Sequence, residues 1–199
     1  MTSVLIVAAG LGVCIVVLAA IAVVLLLRSS SKDQEDLNSV LKQEGLVVTS
    51  TSPLRAHGTW RDMDLLIECR ASQHRRGTSF NNHIQLAGGT PPKTVVQYTL
   101  SQGEALAGPA GVRQIATEDA EFDGRFRIWT DTDAGEQLWQ DADRRALARS
   151  LGRLGGPGSL AEFSSGAGQV RLVLLGTALL PEVASRALDL AEGIANYSG

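Results

Sequence analysis

Asp119-Ala120-Glu121-Phe122-Asp123-Gly124 is the stretch of this 199-residue chain whose residue types and spacing come nearest to a binding site. Carboxylates at the first, third and fifth positions followed by glycine open an EF-hand loop, where acidic oxygens surround calcium and the glycine makes the sharp turn. The twelfth position should close the shell with a bidentate glutamate, and it is Thr130 here. Helices should flank the loop, yet Arg125 to Thr130 (RFRIWT) reads as a strand. The residues thus predict an acidic turn feeding a strand, with no metal ligand assigned. Phe122 and Phe126 are expected to be buried beside that turn, and Asp119→Ala to be nearly silent.

Three other constellations fail on their chemistry. Gly88-Gly89-Thr90-Pro91-Pro92-Lys93-Thr94 resembles the end of a phosphate-binding loop, but Pro91 and Pro92 have no N–H to offer an anion. His57, His74 and His83 fall near Cys69, without any of the short paired spacings of a zinc site. His83 is out of phase with Asn82 and Ile84, whereas Cys69 shares the face of Ile67, so these ligands cannot converge. Ser164-Ser165-Gly166-Ala167-Gly168 lacks the Gly-x-Ser-x-Gly frame of a nucleophile elbow. Arg70, Arg75 and Arg76 cluster at one turn and read as solvated. No catalytic, cofactor-binding or metal-binding residue is assigned, and no cofactor is expected.

The elements that would position such residues follow from periodicity. Asp33 is suited to cap a helix with Leu37, Val40 and Leu41 on one face, ended by Gly45. Arg55 to Trp60 is expected to pair with a strand from Met63 across a turn at Arg61-Asp62. Met63, Leu65, Ile67, Cys69 and Ala71 alternate inward, as do Phe80, Asn82, Ile84 and Leu86, then Val96, Tyr98 and Leu100. These runs predict an antiparallel meander. Ser101 to Ala116 reads as a loop. Leu138, Ala142, Ala146, Leu147, Leu151 and Leu154 form one helical stripe, Leu160 to Leu175 a hairpin around Gly166-Ala167-Gly168, and Pro181 opens a last helix. The last helix is expected to face inward with Val183, Ala187, Leu190, Ala191 and Ile194. Strands first and helices later predict an α+β fold: an antiparallel-sheet domain with two main amphipathic helices.

Val4–Leu27 (VLIVAAGLGVCIVVLAAIAVVLLL) contains no charged, amide or proline residue. At ~1.5 Å per residue it is long enough to cross a ~30 Å hydrocarbon core as a helix. Met1-Thr2-Ser3 has no basic residue and no cleavage signature follows, which favours a retained anchor over a secretory signal. Ala8 and Gly12 form a weak small-xxx-small pair, and Cys14 lies too deep for juxtamembrane acylation. The expected organisation is a short N-tail at 1–3, a transmembrane helix at 4–27, a polar linker and short helix at 28–45, and an α+β domain at 46–197. Arg28, Lys32 and Lys42 follow the span, so the positive-inside rule puts the domain in the cytoplasm. The net charge of −3 offers no electrostatic footprint for nucleic acid. Cys14 and Cys69 cannot staple one domain.

Gly58-Thr59-Trp60-Arg61-Asp62, then Arg75-Arg76-Gly77-Thr78-Ser79-Phe80-Asn81, then Ala120-Glu121-Phe122-Asp123-Gly124-Arg125-Phe126 each lead into a strand. This order resembles a bacterial membrane-anchored α+β module of unassigned function, from about Gly58 to Ala195 and most sharply at Phe122-Asp123-x-Arg125-Phe126. Where that family has Gly-Asp-Pro before the phenylalanine, this chain has Glu118-Asp119-Ala120. The resemblance implies a membrane-anchored domain and carries over no catalytic residue.

Two functional classes follow. One is a non-enzymatic interaction or scaffold module, bound to the bilayer through Val4–Leu27 and to a protein partner. The other is a ligand or metal sensor, or a hydrolase, with a non-local site near Asp119, Glu121 and Asp123. A reporter fused after Gly199 is expected to be active only in its cytoplasmic form, and activity of a periplasmic-type fusion would reverse the topology.

Overall fold

The computed structural model describes residues 35–43, 45–51, 53–74, 77–99, 108–152, 159–176 and 179–197. The expected span Val4–Leu27, Asp33, Leu100 and Leu154 lie outside the described residues. Among those described, no helix is long and apolar enough to cross a membrane.

The fold is α+β, built on one nine-stranded antiparallel sheet. Helix α1 covers residues 35–43. Strands β1 (Val47–Thr51), β2 (Leu54–Trp60), β3 (Met63–His74) and β4 (Gly77–Ala87) follow as the expected meander. Next come β5 (Thr94–Tyr98), β6 (Arg113–Ile115), the four-residue helix α2 (Ala120–Asp123), β7 (Phe126–Thr130), α3 (Asp133–Gln140) and α4 (Ala142–Gly152). The chain closes with the hairpin β8 (Leu160–Gly166) and β9 (Gln169–Leu175), then α5 (Pro181–Ala195). Spatial order is β1-β2-β3-β4-β9-β8-β5-β7-β6. The meander therefore stops at β4, because the last hairpin inserts between β4 and β5.

Turn chemistry fixes the hairpins. Arg61 and Asp62 both have positive φ (46° and 68°), as do Ala167 and Gly168 (51° and 75°). Two consecutive left-handed residues match the twist of the flanking strands and set the register directly. Gly89 has another reason. A Cβ there would lie 2.1 Å from the Ala195 carbonyl oxygen, so the Gly88-Gly89 stretch passes directly against the end of α5. That close backbone approach is what Gly89 serves, while a Cβ on Gly88 would lie 2.8 Å from Met63 Cγ.

One face of the sheet carries the core. Ala56, Ile67, Ile84, Leu86, Leu172, Leu174, Val96 and Ile128 are all fully or almost fully buried. Helix α5 packs on β4 and β9, α4 on β8, and α3 on β7. The five inward residues expected of the last helix, Val183, Ala187, Leu190, Ala191 and Ile194, are buried. Leu37 and Leu41 of α1 join the core, whereas Val40 is exposed.

Four expectations need correction. Phe80 is 41% exposed and Ala71 is exposed, although both keep the inward alternation. Pairing of β2 with β3 ends at Glu68 and pairing of β4 with β9 begins at Asn81, so the β3–β4 ribbon runs past its neighbours there. The single helical stripe over 138–154 is two helices, broken at Asp141, whose backbone is extended (ψ 118°). The break shifts the phase: Ala142 and Ala146 are exposed, while Arg145, Ala148 and Leu151 take the inward positions. Asp141 itself accepts from the N–H of Asp143 at 2.9 Å, a cap that the apolar pattern hid. Finally, the segment read as a loop up to Ala116 contains β6, whereas the hairpin expected at Leu160 to Leu175 is present as β8 and β9.

An aromatic ladder joins the layers. Tyr98 meets Phe126 edge-on at 5.4 Å, Phe126 stacks on Phe122 at 4.4 Å, and Phe122 lies 6.0 Å from Trp139. Trp139 then meets Phe163 at 5.7 Å. Phe122 is fully buried and Phe126 nearly so, as expected from their places beside the acidic turn. Phe122→Ala is expected to cost ~3–5 kcal/mol in equilibrium unfolding, and a loss below ~1 kcal/mol would mean that the ladder is not continuous.

Candidate functional site

The acidic stretch is a short helix and its cap, where an open turn was expected. Glu118 takes a positive φ of 62°. Asp119 follows with an extended backbone, and its carboxylate accepts from the Phe122 N–H at 3.0 Å, starting α2. The same carboxylate lies 3.4 Å from Arg145 Nε and 3.2 Å from Arg149 Nη1, both on α4. The Phe122 N–H, followed by the two arginines, holds the Asp119 carboxyl below the usual aspartate range against the opposing effect of desolvation.

Of the other two carboxylates, Asp123 serves a different partner and Glu121 shares Arg149 with Asp119. Asp123 accepts from the backbone N–H of Thr117 at 2.9 Å and from its hydroxyl at 2.9 Å. Glu121 reaches Arg149 at 3.4 Å, with a side chain 60% exposed. Thr130, at the twelfth position, donates its hydroxyl to the Lys93 carbonyl at 2.8 Å. Asp119 and Glu121 are thus both committed to Arg149 Nη1, while Asp123 is turned away to Thr117. Together they clamp α2 to α4 and to the segment before it.

Arg145 is the residue that sequence reasoning missed. It is 9% exposed, and its Nη1 donates to the Trp139 carbonyl at 2.7 Å while Nε faces Asp119. One guanidinium therefore ties the end of α3, the body of α4 and the cap of α2. An arginine in a predicted helix reads as solvated, and only the break at Asp141 turns this one inward.

The histidines and cysteine sit as follows. His83 is half-buried on β4, opposite Glu68, and Cys69 is opposite Asn82, on the other face of the pair. Arg171 Nη2 donates to His83 Nδ1 at 3.0 Å, which places the imidazole proton on Nε2. Burial, then the Arg171 charge, pushes the His83 pKa down, and burial pushes the Cys69 thiol up. His57 is exposed on β2. Among the described residues no three His, Cys, Asp or Glu side chains gather as a metal site. Ser165 beside Ser164 is spent on structure, donating to the Pro92 carbonyl at 2.6 Å.

A cleft of about 290 Å³ opens beside α2, lined by Tyr98, Glu121, Arg125, Phe126, Arg149 and Gly152. These come from β5, α2, the start of β7 and α4, so no local motif announces them.

Fold and site together define an α+β domain whose acidic turn is a structural clamp next to a small arginine-rimmed cleft. No family model and no curated protein matches the chain. Among solved structures it is similar to the crystal structure of the mycobacterial trehalose monomycolate transport factor A, TtfA. That likeness has 12% identity and a TM-score of 0.46, over 83% of this chain and 92% of that one.

The clamp overturns the expectation that Asp119 is silent. Asp119→Ala removes a helix cap and strands the buried Arg145, so a loss of ~1–3 kcal/mol is expected in denaturant unfolding. Asp119→Asn keeps a capping oxygen and should lose less. Because the folded-state pKa is depressed, the charge contributes stability above the ordinary aspartate pKa, and this is lost as pH falls through the lowered value. The acid limb of the stability curve is therefore expected to flatten in Asp119→Asn. An unchanged limb would remove Asp119 from the clamp.

Proposed function

We propose that this chain is a membrane-anchored, non-enzymatic interaction or scaffold module. A single span at Val4–Leu27 holds the domain at the cytoplasmic face of a membrane, and the domain binds a protein partner there. The span is supported by the length and purity of the apolar run, and the orientation by Arg28, Lys32 and Lys42. A bacterial setting rests on the family resemblance of the Phe122-Asp123-x-Arg125-Phe126 region.

The observation that carries the binding role is the β1 edge of the sheet. β1 (VVTST) contains no charged residue and no proline, and no strand pairs with its outer side among the described residues. Val47 is 55% exposed. The opposite edge, β6, is blunted in the ways that discourage pairing: it is three residues long and carries Arg113, bound to Glu136 at 2.7 Å. β1 has only a bulge at Thr49 between its paired residues Val48 and Ser50. Uncharged β-branched residues at an open edge suit addition of a partner strand, where main-chain hydrogen bonds give affinity. The sensor or hydrolase alternative gains no support from Asp119, Glu121 and Asp123, whose oxygens are taken up by Arg145, Arg149 and Thr117.

A photo-reactive residue at Thr49 is expected to capture a discrete protein from membranes. Val47→Lys, which puts a charge on the open edge, is expected to cut that capture about tenfold without changing the melting temperature. Equal capture by both forms would overturn the edge as the binding surface, and no adduct in either would overturn the module reading.

A further inference from the structure

The cleft beside α2 has a charge pattern that the clamp does not use up. Two guanidinium groups, Arg125 and Arg149, and one carboxylate, Glu121, line it. Among the described residues that line the cleft, one positive charge is left over. Arg125 is exposed, and its contact is the neutral Tyr98 hydroxyl at 3.5 Å; no carboxylate pairs with it among the described residues. Arg149 reaches both of its carboxylates through a single nitrogen, Nη1, at 3.2 and 3.4 Å. Those distances exceed the ~2.7–2.9 Å of a strong charge-assisted bond, and the guanidinium fork is not engaged bidentately. The Glu121–Arg149 pair is itself exposed on the Glu121 side, and an exposed pair of this kind contributes little.

The walls complete the site. Phe126 and Tyr98 line it, and Gly152 lets the last turn of α4 sit directly on both rings. A Cβ there would lie 2.7 Å from Phe126 Cζ and 3.3 Å from Tyr98 Cδ2. A volume of about 290 Å³ is at the bottom of the range for small-molecule pockets, enough for one ring and its polar group. A single surplus positive charge suits a monoanion better than a dianion.

We infer that this cleft binds a small organic monoanion, a carboxylate on an aromatic or apolar body, in the place Glu121 holds in the free protein. Arg125 and the fork of Arg149 take the carboxylate, and the body lies against Tyr98 and Phe126. Glu121 is the resident competitor. The inference does not depend on the β1 edge, and its test reads the cleft alone.

The full chain in nanodiscs is titrated calorimetrically with benzoate, with the neutral isostere benzyl alcohol, and with phenyl phosphate. Benzoate is expected to bind one-to-one with a Kd of roughly 1–10 mM, ordinary for a single-ring fragment, and tighter than either of the others. Arg125→Gln is expected to weaken it about tenfold, and Glu121→Gln to tighten it several-fold by removing the competitor. Both side chains are exposed, and matching melting temperatures verify that the variants fold. No saturable benzoate binding, equal binding of benzyl alcohol, or an unchanged Arg125→Gln overturns the anion site. Tighter phenyl phosphate overturns the monoanion assignment, and weaker binding by Glu121→Gln overturns the competitor role.

Discussion

The contact between Asp119 and the α4 arginines is the constraint on which this arrangement depends. Asp119 starts α2 by accepting from the Phe122 N–H, so it decides where the Phe122 ring goes. Arg145 answers from α4 while holding the Trp139 carbonyl at the end of α3. A buried guanidinium without partners is expensive, and this one is stabilised only when all three helices are in place. The ion pair is thus less a source of net stability than a condition on geometry.

The aromatic ladder depends on that condition. Phe122 and Phe126 stack because a four-residue helix reverses the chain between them, and Trp139 approaches Phe122 because Arg145 fixes the end of α3. From Tyr98 to Phe163 the rings connect β5, β7, α2, α3 and β8. Burial of such rings is the larger energetic contribution, while the polar clamp selects which rings meet. The cleft is the outer end of this ladder, where Tyr98 and Phe126 come within reach of Arg125 and Arg149.

The two surfaces proposed for binding differ in kind. The β1 edge offers backbone groups and uncharged side chains, which suit an extended partner segment. The cleft offers a surplus positive charge and two rings, which suit a small acid. The sheet places them at different ends of the strand order: β1 is terminal, whereas β5 and β7 lie near the β6 edge. A domain with both can hold a protein partner and a small ligand without competition between them.

What the sequence determined by itself were the local elements whose signals are chemical and short-range. The Arg61-Asp62 and Ala167-Gly168 turns, the alternation of β3 and β4, Pro181 at the start of α5 and the burial of Phe122 and Phe126 all follow from residue type and period. Their causes act within a few residues, in backbone conformation and in which face is apolar. The tertiary structure decided what depends on residues far apart in the chain. The β8–β9 hairpin separates β5 from β4 because edge pairing is chosen by packing rather than by sequence order. Phe80 is exposed because its neighbouring strands stop short of it, and Arg145 is buried because the helix breaks at Asp141. The acidic triplet looked like a calcium loop because spacing records only order along the chain. Whether its oxygens converge is set by where Thr117, Arg145 and Arg149 stand: Thr117 draws Asp123 away, and the arginines hold Asp119 and Glu121.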